Sequence, residues 1–236
     1  MSAHRPDEEP RPRSTGRTEH GVRTTVRRTH PALPALAPVA FLAALTAVVL
    51  GVLYAGHSRP AGADARIQAA VDGVSPRWRS AALATDFLGE PAGAAALVVA
   101  AAAGCLLLRR PRAAALAVVG TGLAVGTTKL AKPLVGRTIH GEHLSYPSGH
   151  TAFLTALALA VALLAVGRLG LGRTAGASLV LLAALVAGAA MGWAQLALGA
   201  HYPTDVLGGW CAALAVVPAT GWLIDKAADA ARPGRR

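Results

Sequence analysis

The sequence predicts an all-α protein, a bundle of six membrane-spanning helices with a disordered N-terminal tail. Three observations carry that expectation. Hydrophobic residues make up 53% of the 236 residues and charged ones only 15%, a balance too apolar for an ordinary soluble domain. The apolar residues gather in six runs of about 20, the length a helix needs to cross the hydrocarbon core. Ala, Gly, Val and Leu dominate while aromatics stand at 4%, and the runs lack the polar–apolar alternation of membrane barrel strands.

Residues 1–33 are polar and basic, with Pro, Arg and Thr throughout and no apolar period. They are expected to form a disordered cytoplasmic tail. Arg27 and Arg28 precede an apolar run too long for a cleavable signal core of roughly 7–15 residues, which makes an uncleaved anchor the expectation. The spans fall at 35–55, 87–108, 112–131, 150–167, 174–199 and 204–224, inside a membrane domain of residues 34–225, and 226–236 form a basic C-terminal tail. Asp86, Glu90 and Pro91 interrupt the start of the second span. Ahead of it, the stretch ADARIQAAVDGV suits either a helix lying on the membrane surface or an exposed loop helix. Gly188 and Gly192, like Gly122 and Gly126, are four apart, the spacing that close helix packing in lipid uses. Cys105 and Cys211, each alone in an apolar run, read as small buried side chains rather than a disulfide or metal pair.

The net charge of +11 raises nucleic acid as a partner, but the charges cluster at the ends and in short connections. They read as topology signals instead. Sixteen of the 23 Lys and Arg residues fall on the side of both termini and seven on the other. The positive-inside rule then puts both termini in the cytoplasm and the loops 56–86, 132–149 and 199–204 outside. The Ala- and Arg-rich composition suggests a bacterial source.

That topology brings distant polar residues to one face. The fourth span enters the membrane from KPLVGRTIHGEHLSYPSGH, residues 132–150, and the fifth returns to LGAHYPTD, residues 198–205. His150 and His201 therefore share the outer rim, where ionisable groups at the edge of a bundle call for a functional explanation. The residue types suit phosphoryl transfer through a histidine. Ser148 and Gly149 open a helix whose free N–H groups and dipole attract an anion. His150 can protonate a leaving oxygen. Asp205 can hold one ring nitrogen of His201 and leave the other as a nucleophile. Lys132 and Arg137 would neutralise phosphate charge, though two snorkelling cations at a helix end would look alike in sequence. Tyr146 and Tyr202 suit the pocket mouth or interfacial anchoring equally. His140 and His143, in HGEH, read as solvated polar residues more readily than as metal ligands.

PSGH at residues 147–150 and HYPTD at 201–205 resemble the type 2 phosphatidic acid phosphatase (PAP2) superfamily, with the resemblance spanning roughly 35–224. It implies a PAP2-like bundle that uses neither metal nor cofactor, with His201 as a nucleophile forming a phosphohistidine, Asp205 as its orienter and His150 as general acid. The family pattern K-x6-R-P, P-S-G-H and S-R-x5-H-x3-D is met in part. Ile139 and His140 stand at the Arg and Pro of the first motif, counted from Lys132, and Ala194 and Gln195 at the Ser and Arg of the third. Two phosphate-binding cations are thus missing, so the expectation is weaker phosphate binding, a different head group, or cations supplied by other residues. Gln195, His140, His143, Arg77 and Arg79 are available on that side.

The expected activity is hydrolysis of a lipid phosphomonoester or pyrophosphate, on a polyprenyl or glycerophospholipid carrier, at the outer leaflet. The partners are the lipid substrate and the bilayer, not nucleic acid. A lipid phosphotransferase using the same intermediate, and a catalytically weakened lipid-binding protein, are the alternatives.

Overall fold

The computed structural model describes residues 32–71 and 76–231. The expected basic tail over 1–33 lies almost wholly outside them. Helix α1 (Leu33–Leu53) is followed by the short α2 (Gly62–Val71), α3 (Pro76–Phe87) and α4 (Pro91–Leu107). Then α5 (Pro111–Ala115) runs through a π-turn at Leu116–Gly120 into α6 (Thr121–Val135). A two-stranded ribbon, β1 (Thr138–Ile139) and β2 (His143–Leu144), leads to α7 (Gly149–Leu169), α8 (Arg173–Ala197) and α9 (Pro203–Ala230). The ribbon is antiparallel, with Thr138 opposite Leu144 and Ile139 opposite His143.

Among the described residues, five spans are long and apolar enough to cross a membrane: α1, the continuous Pro111–Val135 segment, α7, α8 and α9. A sixth is reached if α3 and α4 count as one broken span, bent by 60°. Pro91 supplies the break, since it suits the first position of a new helix but lacks the N–H that would continue α3. The all-α, multi-pass architecture expected from the sequence is therefore present, with the second span hinged at Asp86–Glu90. The last helix runs on past residue 225 to Ala230.

The packing is that of a protein whose solvent is lipid. Phe41, Val52, Leu107 and Leu134 point outward and exposed, while the interior is built from small residues such as Ala156, Ala160, Ala184 and Ala213. Small interior residues let helices approach where lipid removes the hydrophobic drive for association. Of the two glycine pairs, one is used this way. A Cβ on Gly188 would fall 2.3 Å from the Trp210 ring, and one on Gly192 would fall 2.5 Å from Val206. Gly122 and Gly126 face open space. Cys105 and Cys211 are buried free thiols.

The C-terminal ends of α1, α6 and α8 and the N-terminal ends of α7 and α9 meet at one end of the bundle. Gly136, at φ 65°, ends α6 in the left-handed conformation, which glycine adopts without a Cβ penalty, and Arg137 follows at once. The turn after α1 is tied to this segment, Gly56 N–H donating to Val135 and Thr138 N–H to His57. At the opposite end Arg112 bridges Asp225 and Asp229.

Candidate active site

The two signature motifs touch. The Ser148 N–H donates to the carbonyl of Asp205 at 2.9 Å. Contact this close needs Gly209, where a Cβ would lie 2.2 Å from the Ser148 carbonyl oxygen. Ser148 is the N-cap of α7, its hydroxyl oxygen accepting from the Thr151 N–H at 3.4 Å and the Thr151 hydroxyl at 3.1 Å. The N–H groups of Gly149 and His150, in the first turn, have no intrahelical partner and suit an anion.

His201 is buried beside this helix start. Its Nδ1 stands 3.6 Å from Asp205 Oδ2, too far for a formed hydrogen bond, and that oxygen accepts instead from the Tyr202 N–H at 3.0 Å. Burial pushes the His201 pKa below its ordinary value of 6.5, and the Asp205 carboxylate partly offsets this. The charges of Lys132 and His150 act in the same direction as burial, so both belong to the same electrostatic neighbourhood. A neutral imidazole with Nδ1 turned to a carboxylate leaves Nε2 with its lone pair free, the arrangement nucleophilic attack requires.

His150 has partners that the sequence reading missed. Its Nε2 lies 3.5 Å from Glu90 Oε1 and 3.7 Å from Asp86 Oδ1, both at the hinge between α3 and α4. Gly89 makes the approach feasible, since a Cβ there would lie 2.3 Å from the His150 ring. One ligand atom each of Asp86, Glu90 and His150 falls within 4.8 Å of the others, a grouping with the donors for a cation. Gln195 is buried and donates to Asp86 at 2.6 Å, so the family's arginine position holds an amide turned to an acid. The signal was present as two acids interrupting an apolar run. Only the hinge shows whom they face.

Arg137 was expected on phosphate, and its partners differ. The guanidinium is fully buried, donating through Nη1 to Asp205 Oδ1 at 2.7 Å and to the Thr204 hydroxyl. Its Nη2 donates to Asp64 Oδ2 at 2.7 Å. The rings of Tyr54 and Tyr202 cover its two faces at 4.5 and 4.4 Å. Its Nε, also buried, has no hydrogen-bond partner among the described residues. Asp64 sits on α2 as that helix's buried residue, so α2 is held by a charge and not by an apolar face.

The remaining expected residues divide. Lys132 stands near the site, its ammonium donating to the Leu144 carbonyl at 2.7 Å. Tyr146 and Tyr202 are both buried. Tyr146 packs on Gly208 and donates its hydroxyl to the Ala47 carbonyl, while Tyr202 stacks on Arg137. His140 donates to the Gly199 carbonyl at 2.8 Å, pinning the ribbon turn, and His143 is exposed on β2. Arg77 and Arg79 are exposed on α3.

Residues 127–228 match the model of the PAP2 superfamily, a segment holding both motifs. Among solved structures the chain is similar to the crystal structure of the first transmembrane PAP2 type phosphatidylglycerolphosphate phosphatase from Bacillus subtilis. The identity is 20% and the TM-score 0.59, covering 86% of this chain and 99% of that one. At that identity the likeness speaks for the fold. No curated protein matches the sequence.

Proposed function

We propose that this chain is a membrane lipid phosphatase that hydrolyses a phosphomonoester or pyrophosphate of a lipid through a phosphohistidine, on the extracytoplasmic face. The contact between Ser148 and Asp205 carries the reading, because it sets an anion-binding helix start beside a buried, neutral histidine. His201 Nε2 attacks phosphorus in line, and the bond to the lipid oxygen breaks as His150 delivers a proton to it. Water, deprotonated by His150, then cleaves the phosphorus–nitrogen bond and restores both rings. Lys132, the Ser148 hydroxyl and the Gly149 and His150 N–H groups stabilise the charge on the transferring group. The site lies at the rim of a lipid-exposed bundle, so a substrate can keep its tail in the bilayer while its head group reaches the histidines. The superfamily match and the likeness to a membrane phosphatase support the assignment.

Phosphate release from a panel of polyprenyl pyrophosphates and glycerophospholipid phosphates in detergent tests it, with His150→Ala and His201→Ala beside the wild type. The expected result is release by the wild type and loss in both variants; activity surviving both substitutions would overturn the mechanism. A phosphorylated acceptor lipid formed without free phosphate would instead establish a phosphotransferase, the second reading, which uses the same intermediate.

A further inference from the structure

We propose that Asp64, on a helix that carries none of the signature motifs, is a positioning residue for the nucleophile, acting through Arg137 on Asp205. The inference rests on the reading of His201 as nucleophile and deepens it. All of Asp64's hydrogen bonds go to the surroundings of Asp205. Oδ2 accepts from Arg137 Nη2 at 2.7 Å and from the Thr204 hydroxyl at 2.9 Å, while Oδ1 accepts from the Thr204 N–H at 3.0 Å. Thr204 lies in the first turn of α9, where an acid is also favoured by the helix dipole. Asp64 and Asp205 thus grip opposite arms of one guanidinium fork, with Tyr54 and Tyr202 closing its faces.

Holding α2 in place does not explain this arrangement. An isolated buried carboxylate is costly, and an apolar side chain of similar volume anchors a short helix as well or better. The charge has an electrostatic use instead. Arg137 and Asp205 alone would form a neutral pair; with Asp64 the trio carries one net negative charge. Attack on phosphorus leaves His201 cationic, and the charges that act on the ring are Lys132 on α6, His150 on α7 and Asp205 on α9, with Arg137 and Asp64 reaching it through Asp205. Lys132 opposes that cation, and Arg137 opposes it by drawing on the charge of Asp205. Asp64 cancels the opposition of Arg137, so that Asp205 acts on the ring with its full charge, and it fixes where Asp205 stands.

The test reads the His201 ring directly, by NMR titration of histidine-labelled protein in detergent assigned with His201→Gln, alongside kcat and KM. Asp64→Asn should lower the ring pKa by about half a unit or more. It should also reduce kcat about tenfold or more with KM nearly unchanged. Arg137→Gln should move the ring pKa upward, and the double variant should restore it while kcat stays low, because Asp205 has lost its anchor. A merely structural Asp64 would not produce opposite, cancelling shifts. Folded Asp64→Asn with ring pKa and kcat at wild-type values would overturn the proposal. Should that variant fail to fold, the charge-balanced double variant decides, and wild-type kcat in it would overturn the proposal equally. The titrations need no substrate, so a wild type inert on every lipid phosphate would remove the nucleophile reading while the coupling of Asp64 to His201 is still measured.

Discussion

His201 and Asp205 flank the start of α9 with Nδ1 and Oδ2 3.6 Å apart, a separation at which the carboxylate acts on the ring through its charge. In the proposed reaction the hydrogen bond between them would form when the ring gains a proton or a phosphoryl group, as apo catalytic contacts often tighten on reaction.

A pH dependence follows from the lowered pKa of His201. In the proposed mechanism the attacking ring must be neutral, so the acid limb of kcat/KM assigned to it should lie below pH 6.5. Asp205 raises this pKa against burial, so Asp205→Asn should carry the limb further down. It should also cost about 100-fold or more in kcat by loss of ring orientation. A pH–rate profile of both proteins checks the direction.

The same shift is a statement about stability. The native state resists protonating His201 where the unfolded chain accepts a proton, so stability should fall as pH drops from 6.5 toward the lowered native pKa. His201→Gln should flatten that slope. Thermal unfolding in detergent across this window reads it.

Lys132→Ala removes the site cation least engaged by carboxylates. It should lower kcat/KM by about 10- to 100-fold and weaken inhibition by vanadate or inorganic phosphate in parallel. Unchanged inhibition would place the phosphate away from Lys132.

Arg137→Lys keeps a charge but not the fork that reaches both acids and stacks between two rings. It should cost about 3 kcal/mol or more of stability, as breaking a buried ion pair does. The loss is read as a fall in unfolding temperature.

Two glycine substitutions separate close approach from composition. Gly209→Ala forces a Cβ against the Ser148 carbonyl and should destabilise by about 1–3 kcal/mol while displacing the α7 start and lowering kcat. Gly122→Ala meets nothing within 4 Å and should be neutral or stabilising by up to about 1 kcal/mol. Parallel activity and unfolding measurements compare them.

The sequence by itself determined the kind of spans, their number apart from the hinged second one, and the pairing of PSGH with HYPTD. Apolar run length and residue type are local quantities, and membrane burial leaves helices little alternative. What each charge does was decided only by tertiary structure. Asp86 and Glu90 looked like interruptions in a span until the hinge turned them toward His150, and Asp64 looked like part of a surface helix until it met Arg137. Arg137, two residues from the arginine position of the PAP2 pattern, looked like a phosphate ligand, and only the structure shows two acids from distant helices holding its fork. A buried charge is assigned by its nearest partners in space, and those partners lie as many as 140 residues away in the chain.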